Sequence, residues 1–360
     1  MTWEEKVKKV IPYVAGEQPK DKSIIKLNTN ECPYPPAPGV REAIRELERR
    51  SDDLRLYPDM NASALTVALA DFYGIGSEKI FVGIGSDDVL ALCFLTFFTS
   101  GYEILFPDIT YSFYPVWADL YGIRYRTIPL TAEMKIDPFE YMPELTKRKN
   151  GGIIFPNPNA PTGYCEPLSK IERIVKANPE SVVIVDEAYI DFGGTSALPL
   201  IDKYENLLIV QTFSKSRSMA GIRIGFAMGS EKLIRYLKDV KFSFNSYTMN
   251  LPSIMIGKAA VEDRAYFDET RGKIISTRER FKKDLEVLGF LMPDSSANFV
   301  FARHPRFTGD YLFKKLREKK ILVRHWNKPG ISEFLRITIG TDEQMDAVTA
   351  ALREITQETD

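Results

Sequence analysis

The chain has 360 residues, which at a rough prior of about 150 residues per domain is enough for two domains. Its formal net charge is −1, so no bulk charge directs it to nucleic acid or to an anionic membrane. Hydrophobic residues make up 44% and charged residues 27%, which is ordinary for a globular protein. We therefore expect small-molecule partners, with no nucleic acid and no membrane.

Cysteines and histidines are few and scattered. The three cysteines, Cys32, Cys93 and Cys165, are odd in number, which argues against a disulfide framework and favours a reducing cytoplasm. The two histidines, His304 and His325, form no cluster with them, so we expect no metal site. The first ten residues have mixed charges and indicate no secretory signal, and no run approaches the roughly 20 apolar residues of a membrane span.

The predicted elements begin after an extended, proline-rich segment at 27–36. A helix is predicted at 61–74, where Asn61 is a plausible N-cap and Gly74 a stop signal. Other helices are predicted at 41–50, 86–98, 111–122 and 168–178. Strands are predicted at 79–85, 102–107, 124–130, 151–158, 181–189, 207–214 and 221–229.

The strands are nearly continuous runs of valine, isoleucine and leucine, and a spacing of about 25 to 30 residues between strands predicts βαβ units. We therefore predict an α/β fold with a mostly parallel central sheet, in a large domain at 41–250. From about 233 to 288 the pattern is helical, and an α+β pattern follows it. This predicts a smaller domain made of 251–360 together with an N-terminal arm, 1–40.

Polar residues that follow strands are candidates for function, because ligands of open α/β sheets bind beyond the carboxyl ends of the strands. Four places qualify: Asp186 with Tyr189, Lys215, "GIGSDD" at 83–88, and "NPNAPTG" at 157–163. Taken alone, each has an ordinary explanation. Asp186 can belong to a structural ion pair or be a helix cap, and Lys215 can be a solvated lysine. The stretch at 83–88 is only a weak anion site, and that at 157–163 can be a turn. The anion site lacks the Walker lysine and the G-x-G-x-x-G spacing, so neither an ATPase nor a dinucleotide site is supported.

Taken together, the four places match the requirements of pyridoxal phosphate. A lysine forms a Schiff base with this cofactor, and an aspartate keeps its ring nitrogen protonated. A tyrosine donates to the phenolate oxygen of the ring, and a helix N-terminus with an arginine holds the phosphate.

The order of "GSDD", "NPNAPTG", "DEAY" and "TFSKSRSMAGIRIG" resembles the fold-type I aminotransferases of the aspartate aminotransferase superfamily, over essentially the whole chain. Within it, "LNTNECPYPP", "RLYPD" and "FLRITIG" most resemble the histidinol-phosphate aminotransferases. That family moves an amino group between L-histidinol phosphate and 2-oxoglutarate in histidine biosynthesis. The alternatives are an aromatic amino-acid aminotransferase, a threonine-phosphate decarboxylase and a non-catalytic pyridoxal-phosphate sensor. A sensor of this kind usually carries a fused DNA-binding domain. The aminotransferase-like motifs start by residue 27, so we expect no such domain before them.

The resemblance assigns a role to each matching residue. Lys215 matches the Schiff-base lysine, Asp186 the partner of the ring nitrogen, Tyr189 the donor to the phenolate oxygen, and Tyr111 the aromatic residue stacked on the ring. The residues matched to the phosphate site are Ser86, Asp87, Thr212, Ser214 and Arg223.

The resemblance also implies a homodimer with shared active sites. Tyr57 matches a tyrosine that reaches the cofactor phosphate of the other subunit. Arg336 matches the arginine that binds the substrate anion, Arg324 lies beside it, and Tyr13 matches an N-terminal tyrosine near the substrate.

One position departs from the pattern of the superfamily, which usually has asparagine immediately before "PTG". Here that position is Ala160, and Asn159 lies one residue earlier. We expect Asn159 to reach the ring through a shifted loop; otherwise Asn157 does so, or the contact is lost.

Overall fold

The computed structural model describes residues 1–357, and its centre is a seven-stranded sheet in the order β2-β8-β7-β6-β5-β3-β4. All pairings among β3 to β7 are parallel, and β8 alone runs antiparallel to both of its neighbours. After a short N-terminal strand, β1 (Ile25–Lys26), the strands of this sheet are β2 (Ile80–Gly83), β3 (Ile104–Pro107), β4 (Tyr125–Ile128), β5 (Ile153–Pro156), β6 (Val183–Asp186), β7 (Leu207–Thr212) and β8 (Gly225–Gly229).

Helices cover both faces of the sheet, which is why the inner strands are buried at every position and are apolar except near their carboxyl ends. In β6, Val183 and Val185 face one core, and Ile184 faces the other. The helices of this part are α1 (Pro38–Arg49), α2 (Ser63–Tyr73), α3 (Ser86–Phe97), α4 (Phe113–Tyr121), α5 (Pro143–Thr146), α6 (Leu168–Ala177), α7 (Glu231–Phe244) and α8 (Leu251–Glu262).

The C-terminal part has its own core around a three-stranded antiparallel sheet in the order β11-β12-β9. The N-terminal segment joins this part, since β1 pairs with β10 and Leu27 lies in the same core. The elements are α9 (Arg264–Val287), β9 (Phe299–Ala302), α10 (Gly309–Glu318), β10 (Ile321–Leu322), β11 (Arg324–His325), β12 (Leu335–Thr338) and α11 (Asp342–Gln357).

The apolar side chains of α8, including Ile254 and Val261, pack into the core of the central sheet. The change from one core to the other therefore falls between α8 and α9 along the chain, later than residue 250. The division into domains at 41–250 and 251–360 remains a prediction.

Most predicted starts differ from the structure by a few residues, and two of the differences have a clear cause. Helix α2 begins at Ser63, whose backbone N–H donates to the carboxylate of Asp59, and the same carboxylate accepts the N–H of Asn61 before the helix. Asn61 is therefore not the N-cap. The strand predicted from residue 221 begins only at Gly225, because Arg223 has left-handed backbone (φ 59°) and turns the chain. Within residues 1–357, no helix combines the length and apolarity needed to cross a bilayer.

Candidate active site

A cavity of about 590 Å³ opens where the carboxyl ends of β5, β6 and β7 meet the N-terminus of α3. Strands β11 and β12 and the N-terminal segment close its other side. Twelve of the predicted site residues line it: Tyr13, Ser86, Asp87, Tyr111, Asp186, Tyr189, Thr212, Ser214, Lys215, Arg223, Arg324 and Arg336. The fold thus brings together residues from both ends and the middle of the chain.

Asp186 ends β6, and its side chain is 4% exposed. The hydroxyl of Tyr114 donates to Oδ2 at 2.9 Å, and the backbone N–H of Ala188 donates to Oδ1 at 3.2 Å. Burial raises the pKa of this carboxyl to about 6, against the opposing effect of these two hydrogen bonds. A carboxylate buried in this way is stabilised by a cationic group placed over it, such as a protonated ring nitrogen.

Lys215 lies just beyond the end of β7 and is partly buried. Its Nζ donates to the backbone carbonyl of Thr29 at 3.0 Å and lies 5.6 Å from the centroid of the Tyr189 ring. The amine is therefore held at the cavity wall by a single carbonyl, which it can leave without breaking an ion pair.

The N-terminus of α3 forms an anion site with the turn before β8. Arg223 donates from Nη1 to Ser214 Oγ at 3.4 Å, and its Nη2 lies 3.6 Å from Asp87 Oδ2. A side chain at Gly225 would put its Cβ 2.2 Å from the backbone N of Ser86, so only glycine lets this turn approach the helix. Free N–H groups at a helix start beside an arginine suit a phosphate.

Tyr111 presents an aromatic ring to the cavity beside this anion site. Its hydroxyl donates to Asp87 Oδ1 at 2.9 Å, and burial together with that carboxylate raises the pKa of the phenol. Its ring packs edge-on against Tyr114, with 5.7 Å between centroids. The ring of Tyr111 is thus fixed in orientation, as a stacking surface for a flat cofactor requires.

Two arginines face the opposite side of the cavity. Arg324 and Arg336 are register partners on β11 and β12, and the ring of Trp326 lies 5.3 Å and 5.1 Å from their guanidinium carbons. Nη2 of Arg336 donates to the carbonyl of Asn28 at 2.9 Å, while its Nε is buried without a partner. Burial lowers the pKa of Arg336, and the nearby Arg324 lowers it further.

No carboxylate within residues 1–357 forms an ion pair with either arginine. The pair is therefore free to pair with an anion from outside the chain, and its role in substrate binding remains a prediction. Tyr13, from the N-terminal segment, covers this part of the cavity and stacks on Phe113 with 4.1 Å between ring centroids.

The loop at 157–163 does not place an asparagine against the cavity. Nδ2 of Asn159 donates to the carbonyl of Ile109 and to Thr162 Oγ1, at 3.1 and 3.0 Å. Both side-chain atoms of Asn157 bond to the backbone of Glu166. The methyl group of Ala160 lines the cavity instead. Asn159 does not line the cavity, although its Oδ1 is buried without a partner. This geometry favours the third alternative, a lost contact, and the expected contact between Asn159 and the cofactor remains a prediction.

Tyr57 lies outside the cavity of its own chain. Its side chain is 83% exposed and stacks on Tyr247, with 4.6 Å between ring centroids. It is accessible to a second subunit, and its role there remains a prediction.

Two residues of the site, Tyr114 and Asn30, were not among the predicted residues. Nδ2 of Asn30 donates to the Tyr189 hydroxyl at 2.9 Å. Tyr114 follows Tyr111 by three residues in a predicted helix, a spacing that puts both on one face and was an available signal. Asn30 lies in an irregular segment, where no periodicity marks a buried polar residue.

The residues present fit pyridoxal phosphate. The cavity offers a buried carboxylate, a lysine, a fixed aromatic ring, and a helix N-terminus beside an arginine. Within residues 1–357, no group of three or more histidine, cysteine, aspartate or glutamate side chains is arranged to hold a metal.

Comparison with known proteins agrees with this geometry. The family model "Aminotransferase class I and II" matches residues 22–352. A histidinol-phosphate aminotransferase 2 from Dechloromonas aromatica is 52% identical over 355 residues, covering 98% of this chain and 99% of the relative. A histidinol-phosphate aminotransferase from Lactococcus lactis subsp. cremoris is 50% identical over 354 residues, covering 98% of each chain.

Among solved structures, the histidinol-phosphate aminotransferase of Sinorhizobium meliloti in complex with pyridoxal-5'-phosphate has a TM-score of 0.84. It is 24% identical and covers 94% of this chain and 92% of its own. This likeness confirms the predicted α/β, fold-type I architecture. The chain belongs to the class I and II aminotransferases, within the family of the histidinol-phosphate aminotransferases.

Proposed function

We propose that this enzyme transfers an amino group between L-histidinol phosphate and 2-oxoglutarate, with pyridoxal 5'-phosphate as its cofactor. The observation that carries the proposal is the pair Arg324 and Arg336, which has no carboxylate partner within residues 1–357 and faces Lys215 and Asp186 across one cavity. Relatives at 52% and 50% identity bear the histidinol-phosphate name, which favours this donor over an aromatic amino acid or threonine phosphate.

Pyridoxal phosphate, when bound, supplies a cationic ring that withdraws electrons from the α-carbon of the substrate. Asp186 keeps the ring nitrogen protonated, because its buried carboxylate gains a counter-charge there. Tyr189 and Tyr111 orient the ring, and the anion site of Ser86, Arg223 and neighbouring residues binds the phosphate.

Lys215 would hold the cofactor, and its amine would take a proton from the α-carbon of the substrate as general base and return it as general acid. Its position suits this role, since Nζ is held only by the carbonyl of Thr29 and lies beside Tyr189. The arginine pair binds the phosphate of one substrate and then a carboxylate of the other, because a guanidinium can form two parallel hydrogen bonds to either anion.

A homodimer with shared active sites and a cytoplasmic location complete the proposal. The dimer is supported by an exposed apolar surface around Tyr57, which includes Leu54, Leu56, Phe244 and Tyr247. The location is supported by three free cysteines.

Donor choice tests the function directly. In single-turnover half-reactions the wild type should use histidinol phosphate with a kcat/KM about tenfold to a hundredfold above that for histidinol, since histidinol lacks the phosphate that the arginines bind. Lys215→Ala should show no turnover and no cofactor fixed to the chain after borohydride reduction. Equal use of phenylalanine, or release of CO₂ from threonine phosphate, would contradict the proposal.

Asp186→Asn should separate stability from catalysis. The folded carboxyl has a pKa raised to about 6, above its unfolded value, so its ionised form destabilises the cofactor-free protein at high pH and not at low pH. The variant without cofactor should thus be more stable by roughly 1 to 3 kcal/mol at pH 8, and the gain should shrink towards pH 4. Urea unfolding measures it.

The loaded Asp186→Asn variant should lose about a hundredfold to a thousandfold in kcat, because an amide cannot hold the ring nitrogen protonated. Near-normal kcat would mean that Asp186 only supports the end of the strand.

Arg336→Lys should lower kcat/KM by about tenfold to a hundredfold for both histidinol phosphate and 2-oxoglutarate, because lysine keeps the charge but loses the bidentate fork. Stopped-flow half-reactions measure each substrate separately. Arg303→Lys is the matched control, since Arg303 follows β9 outside the cavity. A loss confined to one substrate would show that the two anions do not share the site.

Tyr57→Phe should weaken cofactor binding by about tenfold, the effect of one lost hydrogen bond to a charged group. Mixed dimers of a Tyr57→Phe subunit with a Lys215→Ala subunit contain one site with both residues intact if Tyr57 acts across the interface. Equilibrium dialysis and activity of the mixture should therefore show one restored site in each mixed dimer. No recovery on mixing would rule out the shared site.

A further inference from the structure

Asn30 is the centre of a buried hydrogen-bond network behind the cavity. Its side chain is 1% exposed, and its backbone is left-handed, with φ 57°. Nδ2 donates to the hydroxyl of Tyr189 at 2.9 Å, and Oδ1 accepts from Thr338 Oγ1 at 3.0 Å. Its backbone N–H donates to the same Thr338 oxygen at 3.0 Å, and its carbonyl accepts from Asn298.

Thr338 fixes which way the Asn30 amide faces. Thr338 Oγ1 accepts the backbone N–H of Asn30 and donates its own proton to Oδ1 of Asn30; with the amide reversed, this buried hydroxyl would have no acceptor among its bonds within residues 1–357. The amide oxygen therefore points to Thr338 and the amide nitrogen to Tyr189, an assignment that follows from the network.

We propose that Asn30 is a positioning residue that directs the proton of the Tyr189 hydroxyl into the cavity, towards the phenolate oxygen of the bound cofactor. An amide nitrogen only donates, so the oxygen of Tyr189 must accept from Asn30, and its own proton has to be donated elsewhere. This inference rests on the proposed function, which places the cofactor ring beside Tyr189.

The residues around Tyr189 show why the direction of its hydroxyl proton matters. The neighbouring loop presents the methyl group of Ala160, and the side chains of Asn157 and Asn159 are bonded elsewhere. The charged groups around Tyr189 are Lys215, 5.6 Å from the ring centroid, Asp186 at the end of the preceding strand β6, and Arg336, which packs on Phe299 beside the tyrosine ring. Neither these groups nor the loop residues that line the cavity, Ala160 and Pro161, carry a neutral hydroxyl.

Asn30→Asp tests the direction of the hydrogen bond while keeping the shape of the side chain. An ionised carboxylate only accepts, so it should draw the Tyr189 proton away from the cavity. The phenolate oxygen of the bound cofactor would also accept a hydrogen bond from the protonated linkage between the cofactor and Lys215. A second donor to the same oxygen would weaken that hydrogen bond. Losing the donor should therefore raise the pH at which the visible absorption band of the holoenzyme changes, by about one to two pH units.

The control is the same substitution in a Tyr189→Phe background. Tyr189→Phe alone should raise the titration midpoint, and adding Asn30→Asp should raise it no further. Thr338→Val adds no charge, and it removes both the donor to Asn30 Oδ1 and the acceptor of the Asn30 backbone N–H. It should give a smaller upward shift of the midpoint, and it provides the test if Asn30→Asp does not fold.

If Asn30→Asp shifts the titration midpoint equally in the wild type and in the Tyr189→Phe background, the effect is one of charge alone and the inference is overturned. The inference would also be overturned if Tyr189→Phe shifts the titration midpoint while Asn30→Asp and Thr338→Val leave it unchanged. In that case the proposed function would stand. An unchanged midpoint in Tyr189→Phe would instead refute the contact between Tyr189 and the cofactor, and the inference with it.

Discussion

Two charges, one on each side of the cavity, lack counter-ions from the described chain. Asp186 is buried at the end of β6 with only a phenol and a backbone N–H as donors, and Arg336 faces the cavity with its Nε unpaired. Burying either charge alone is costly. The proposed cofactor and substrate would each supply a missing counter-charge, a cationic ring at Asp186 and an anion at Arg336.

The central sheet determines where the first of these charges lies. Its parallel strands end at one edge, which brings Asp186 of β6 near Lys215 beyond β7 although they are distant in sequence. The antiparallel β8 returns the chain to the same edge, where Gly225 lets the turn with Arg223 approach the start of α3. The anion site thus depends on the direction of one strand.

A three-residue stretch of the N-terminal segment connects the sheet to the C-terminal part. The carbonyl of Asn28 binds Arg336, the carbonyl of Thr29 binds Lys215, and the amide of Asn30 binds Tyr189. The proposed substrate clamp, base and ring contact are therefore all held by consecutive residues. A displacement of this segment would disturb the three contacts together.

The sequence by itself determined the α/β class, most of the elements and the strand-end residues Asp186 and Lys215, because each leaves a local signal in apolar runs and turn residues. Only the tertiary structure decided that Asn159 turns away from the cavity, that Tyr114 supports Asp186, and that Asn30 supports Tyr189. The last two contacts join residues 72 and 159 positions apart. Contacts over such separations depend on how the layers pack, and neither residue type nor spacing records which side chains meet there.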